Sequence, residues 1–418
     1  MKDQILNAID SPHRLEVLYR GNAKAFEQAL PGALMAQPDS PLLQAWNERL
    51  FFAGPDGPPT VRWQSRDIGW VIALSLIAGT LVKLPDFLAL LNDDRFYSRN
   101  VAGILAGALI LFFCIFRPCP KKTVRALAIL GLGSLLYLNL LPDNPRSDTL
   151  VLSCLHTPFF LWSLLGVAFL GGAWKNLPGR MDFIRYNGEL LIYSTIILIG
   201  GMVLTGLTFA LFSLIHLSIE EWYLKNVVVY GAVAAPIVAT WIVERIVGTR
   251  FKIAPMLAKI FTPLFLLTAI AYLVAMGVQH KSPFTDRDFL IAFNGLLVVV
   301  LGLCVFSISE RGPQESPGVT DFMNMGLVSI TLLIDLIALS AILFRLSSYG
   351  FSPNRLAVLG GNLLAFCHLA GIFYRYARFA RNKAPFESLG NWIAGYIPVY
   401  TIWSVIVAIA FPVMSRFR

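Results

Sequence analysis

The chain has 418 residues, of which 56% are hydrophobic, 12% aromatic and only 14% charged, with a formal net charge of +9. So few charges cannot coat a soluble protein of this length, and the hydrocarbon of a bilayer is the solvent the composition fits. The positive balance reads as topology rather than nucleic-acid binding, because the cytoplasmic loops of membrane proteins collect Lys and Arg.

The opening MKDQILNAID lacks the apolar run of a signal peptide and is expected to be retained. Ser11-Pro12 predicts an N-cap followed by proline at the first helical position, with Gly21 as the stop. Asn22 caps a second helix with Phe26 and Leu30 on one face, and Ser40-Pro41 starts a third with Leu42, Trp46 and Leu50 in a stripe. Three such helices are expected to bury little alone and to pack on one another and on the membrane domain. The turn-rich AGPDGPPT, 53–60, is a linker, so residues 1–67 form a cytoplasmic amphipathic segment and 68–418 the membrane domain.

Apolar runs long enough to cross about 30 Å of hydrocarbon are read at 68–91, 100–117, 123–141, 148–173, 189–215, 224–247, 256–278, 288–308, 320–346, 354–376 and 393–413. The fold class is therefore all-α: a polytopic transmembrane helix bundle of about eleven spans behind a small helical N-terminal segment. With the N-terminus inside, inward segments hold 23 of the 34 Lys and Arg, outward segments 10, and Lys83 falls within the first span. This predicts N-terminus in, C-terminus out.

Ionisable groups inside spans are the default functional residues. Lys83 and Asp335 each lie 15 residues past an inner span start, at equal depth, and are expected to pair or to face one wet cavity. Pro85 is expected to break or bend the first span near Asp86, which either lines a site or sits in the headgroups. His368, mid-span, suits a helix-to-helix hydrogen bond or a proton relay. Lys83, Asp86, Asp335 and His368 are thus the predicted ligand or ion path.

His156 precedes Pro158 and is expected to bridge a kink there, and His216 sits at a wet interface. No metal-ligand spacing joins them, so no metal and no cofactor are expected. Glu189 is placed at the start of the fifth span, favoured by the helix N-terminus, and Glu244-Arg245 as an interfacial pair. Gly103-x-x-x-Gly107 and Gly360-Gly361 allow close helix approach. The cysteines Cys114, Cys119, Cys154, Cys304 and Cys367 are scattered and read as small hydrophobes. No phosphate loop and no Gly-x-Ser-x-Gly elbow appears.

SSYGFSPNR, 347–355, interrupts two apolar runs on the predicted outer side. Gly350 supplies a turn, Pro353 pushes Ser352 out of helical geometry, and Ser352 caps the restart. Arg345 and Arg355 flank this loop against the charge rule. Two readings stand: they snorkel to anionic headgroups, or Arg345, Tyr349 and Arg355 form an outer site for an anion or lipid.

Tyr349-Gly350-Phe351-Ser352-Pro353-Asn354-Arg355 resembles the Tyr-Gly-x-[Ser/Thr]-x-x-Arg turn of a family of uncharacterised bacterial integral membrane proteins, a domain of unknown function. SPHRLEVLYR, AFEQAL and AWNERL look like the soluble start of multi-span proteins of that group. The resemblance implies the bacterial inner membrane and brings no catalytic residues.

Three function classes follow. The first is a secondary transporter or translocator of a lipid or small molecule, with membrane lipids as partners. The second is a sensor or scaffold meeting a cytoplasmic protein through residues 1–52, with Trp46 exposed. The third is an enzyme acting on lipid headgroups at an outer cluster of Asp93, Asp94, Arg95 and Arg99.

Overall fold

The computed structural model describes residues 1–51, 65–88, 92–142, 147–214, 216–247, 254–278, 284, 287–311 and 317–416, so the linker at 53–60 lies outside the described residues. Among these, every regular element is a helix. The chain divides into two compact units, Met1–Gln64 and Ser65–Arg418.

The first unit holds four helices: α1 (Lys2–Leu6), α2 (Pro12–Gly21), α3 (Ala23–Ala36) and α4 (Pro41–Phe51). The caps form as the sequence predicts: the Ser11, Asn22 and Ser40 side chains accept the amides of Arg14, Ala25 and Leu43. The expectation that these helices bury little alone is corrected. Ile5, Leu15, Phe26, Leu30, Leu43 and Trp46 are closed off from solvent within the unit, each contributing about 1.5–3 kcal/mol. The added helix α1 supplies Ile5 to this core. Trp46, expected exposed, packs 5.0 Å from the Phe26 ring and 5.3 Å from Tyr19.

The second unit contains eight helices long and apolar enough to cross a membrane among the described residues. These are α7 (Asp93–Phe116), α8 (Lys121–Leu140), α9 (Asp148–Phe169), α10 (Leu177–Leu214), the composite Glu220–Arg245, α15 (Val319–Tyr349), α16 (Pro353–Ala380) and the composite Glu387–Met414. The first composite joins α11 (Glu220–Tyr223) to α12 (Val229–Trp241), and the second joins α17 (Glu387–Val405) to α18 (Phe411–Met414), each through a π-helical stretch. Beside them stand α5 (Ser65–Val82), the short α6 (Leu84–Phe87), α13 (Ala254–Val278) and α14 (Arg287–Ser309).

Two cores organise this unit. Helices α5, α7, α9 and α12 with the base of α10 enclose Phe112, Phe113, Phe169, Phe183, Tyr186 and Ile237. Helices α14 to α17 enclose Leu297, Val300, Leu327, Leu369, Ile372 and Tyr376, and α13 packs on α14 and α15. Helix α9 touches α17, and α10 touches α12, α14 and α17, so these two join the halves. Gly360 and Gly371 on α16 let the Trp403 and Trp392 rings of the C-terminal composite lie against the backbone, where a Cβ would collide.

Two span boundaries are corrected. The first predicted span ends at Val82, because Pro85 falls in the first turn of a new helix after Lys83. The predicted fifth span begins at Leu177, where Asn176 caps the Gly179 amide and Pro178 takes an early position. Glu189 is therefore buried in the interior of a 38-residue helix, not at its start. The polar run before it reads as a loop, but its side chains are satisfied: Arg180 donates to the Trp174 and Ala394 carbonyls, and Asn187 bridges Trp162 and the Phe183 carbonyl.

Candidate functional site

The turn between α15 and α16 is built as its residues dictate. Gly350 adopts φ +76° and ψ −179°, a conformation open essentially to glycine alone, and its amide closes on the Leu346 carbonyl at 3.0 Å. Ser352 is extended ahead of Pro353, and its hydroxyl accepts the Arg355 amide at 3.3 Å. Arg355 Nη1 donates to the carbonyls of Tyr349 (2.8 Å) and Gly350 (2.6 Å), locking the turn. Its Nε and Nη2 have no acceptor among the described residues.

Beside this turn opens a cavity of about 370 Å³, within the usual size of small-ligand sites. Arg345, Arg355 and Asp148 line it with Asn294, Ser352 and Asn354, above apolar walls of Ile291, Ile342 and Val358. Both predicted outer arginines thus meet in one concavity. Tyr349 is not on its wall: it is exposed, and the Arg355 guanidinium sits 5.7 Å from its ring. Arg345 donates to the Phe284 carbonyl at 3.4 Å. Asp148 shares the cavity with both arginines, and no ion pair joins it to either among the described residues. Asn294 takes a hydrogen bond from Asn362 at 2.8 Å, linking the cavity wall to α16.

Deeper in the same helices lies a second polar group. Asp335 on α15 has no solvent exposure, and neither carboxyl oxygen has a hydrogen-bond partner. His368 on α16 bonds through Nδ1 to the Tyr400 hydroxyl of α17 at 2.9 Å, the helix-to-helix bond the sequence predicts. Its ring stacks on Tyr396 at 4.4 Å, and its Nε2 has no partner. Asp335 stands within electrostatic range of the Tyr400 hydroxyl.

The expected pairing of Lys83 with Asp335 does not occur. Lys83 belongs to the first core, where its Nζ donates to Asn226 at 2.6 Å and lies 3.2 Å from Asp86. Helix α5 packs on α7 and α12, whereas α15 packs on α13, α14 and α16. The count that gave them equal depth does not carry over either, because Lys83 lies past the end of α5 whereas Asp335 lies inside α15, and the lateral neighbours differ. Lys83 and Asp86 are locked together by the helix break at Pro85, and the predicted path therefore splits into this pair and the Asp335–His368 group.

Other expected sites resolve into structure. Glu244 pairs with Arg117 (2.7 Å), and Arg245 lies 3.8 Å from Asp67, so the two are not each other's partners. Arg99, expected in an outer cluster, is buried and donates to the Leu138 and Leu141 carbonyls, capping α8. His156 bonds the Leu152 carbonyl rather than the Cys154 carbonyl that Pro158 leaves free. Sequence reasoning passed over Asp148, Asn294, Asn362 and Tyr400. Lone amides inside apolar runs, at 294 and 362, were the signal available.

Comparison with protein-family models, curated proteins and solved structures finds no match for this chain.

Proposed function

We propose that the protein is an integral membrane translocator that takes a small anion, or the anionic headgroup of an amphiphile, into the α15–α16 cavity. The carrying observation is the convergence of Arg345 and Arg355 on one concavity whose other wall is apolar. Guanidinium groups suit carboxylate and phosphate, and the Arg355 donors not used by the turn are free to bind one. In this reading all eleven apolar segments cross the bilayer of a bacterial inner membrane, with the N-terminus in the cytoplasm and the cavity on the outer face. The charge distribution of the loops supports that direction. The resemblance of the Tyr349–Arg355 turn to uncharacterised bacterial membrane proteins agrees with it.

The test is native mass spectrometry of the purified protein with phosphatidylglycerol and phosphatidylethanolamine. Arg345→Ala lowers retention of the anionic lipid about tenfold, the effect of one charge-assisted contact. Asp148→Asn, which removes the carboxylate lining the cavity, raises it. Unchanged retention in both variants removes the cavity from the function. A reporter enzyme fused after Arg418 that is active only in the cytosol overturns the orientation.

A further inference from the structure

Below the cavity, the same helices carry polar groups inward. Ile342, on the cavity wall, is two turns from Asp335 along α15, about 10 Å. Asn362, bonded to the cavity residue Asn294, is six residues from His368 along α16, about 9 Å. Along the bundle axis the order is therefore the two arginines, the Asn294–Asn362 bridge, and then Asp335 with the His368–Tyr400 pair, although Asn362 and His368, six residues apart, lie on faces of α16 turned by about 120°.

The inner group is chemically incomplete. A carboxyl with both oxygens unpartnered and a histidine with an unpartnered Nε2 lie fully inside a membrane bundle. An isolated carboxylate in such surroundings is far costlier than a neutral carboxylic acid, and the group takes a proton instead. Among the described residues no cation pairs with it. From α16 comes His368 and from α17 Tyr400, while the α13 and α14 side chains packed at this level, Ala269, Leu273, Phe293 and Leu296, are apolar. Arg345 is ten residues away along α15, about 15 Å, and the Arg311–Asp321 pair lies toward the opposite end.

We propose that Asp335 is a proton-binding site at mid-bundle, facing the Tyr400–His368 pair, and that its proton moves together with an anion taken from the cavity two helical turns away. Water on one side donates the proton to the carboxylate, and the neutral carboxyl returns it to water on the other. The hydroxyl of Tyr400, within electrostatic range of the carboxyl and bonded to His368, is the group through which it passes. The coupling rests on the anion reading above; the proton site does not.

The experiment is infrared difference spectroscopy of the full protein in nanodiscs, reading the C=O stretch of a protonated carboxyl at about pH 7, where a free aspartate is ionised. The wild type is expected to show this band and Asp335→Asn to lack it. Asp335→Glu is expected to keep it at a displaced frequency, which covers the case in which the Asn variant does not fold. Tyr400→Phe is expected to shift the band, because a hydroxyl within electrostatic range of the carboxyl is gone. Absence of any band lost in Asp335→Asn, or absent in both wild type and Asp335→Glu, overturns the proton site. Inorganic phosphate, as the probe for the cavity, is expected to perturb the band in the wild type and not in Arg345→Ala. A band present but indifferent to phosphate overturns the coupling while the proton site stands.

Discussion

Arg117 at the end of α7 grips Glu244, in the π-helical stretch after α12, with Nη2 2.7 Å from one carboxylate oxygen and 2.9 Å from the other. Its Nη1 donates to the Phe169 carbonyl and its guanidinium lies 3.9 Å from the Phe169 ring, so one side chain fastens three elements at a single seam. Glu244→Gln keeps the shape and removes the charge. It is expected to cost about 2 kcal/mol, the scale of hydrogen bonds to an ionised partner. Thermal unfolding in detergent checks this, and a double-mutant cycle with Arg117→Lys showing no coupling refutes the seam.

The N-terminal unit carries a pH-dependent tie. Glu16 on α2 accepts from Arg20 at 2.9 Å and from Arg49 of α4 at 3.0 Å. The Arg20 hydrogen bond, with Arg49 adding to it, holds its carboxyl below the ordinary carboxylate range. Because the folded value lies below the unfolded one, the stabilisation is present in full above about pH 4.3 and is lost as pH falls through the folded value. Hydrogen exchange of α2 and α4 is expected to rise on acidification in the wild type, relative to Glu16→Gln measured at the same pH. Parallel behaviour of the two proteins at every pH counts against the tie.

Trp46 is a core residue of that unit, not a docking surface. Trp46→Ala is expected to destabilise it by about 3–5 kcal/mol, as large-to-small changes in a core do. The readout is limited proteolysis, with cleavage within residues 1–51 appearing in the variant. A variant as protease-resistant as the wild type would restore the surface role.

Within the α15–α16 turn, Gly350 holds a conformation that a side chain resists. Gly350→Ala is expected to cost about 1–3 kcal/mol through backbone strain alone, since no neighbour would touch the added methyl. Gly21→Ala, at a position with equal space and no positive φ, serves as the control and should cost much less. Equal melting temperatures for the two variants would dispose of the strain argument.

Hydrophobic periodicity and caps made the helices legible, because burial of an apolar face and satisfaction of terminal amides act locally. Ser11, Asn22, Ser40 and Ser352 each cap a helix where a reader of the sequence would start one. The α10 start was missed because Arg180, Asp182 and Arg185 look like loop residues. Their partners, the Ala394 and Ser309 carbonyls among them, are distant in sequence. A count from the span start put Lys83 and Asp335 together, yet Lys83 lies past the break at Val82, and which helices stand side by side was not readable. Adjacency in a bundle is set by the fit of whole faces, and a count from the span start carries no angular information. The rim arginines were found because they break the charge rule, whereas Asp148 and Asn294 arrive at the cavity from elements far along the chain.

Helix α10 is about 57 Å long at 1.5 Å per residue, far more than the hydrocarbon thickness. Its base is held by Tyr186 to Thr240 of α12, by Arg180 to α17 and by Arg185 to the end of α14, whereas none of its most apolar window is buried by protein. The portion beyond Tyr193, 194–214, measures about 32 Å, and tilting is one way in which it accommodates a thinner bilayer. Because the foot of this mast is fastened to both cores, any tilt of its upper part bears on the seam between them.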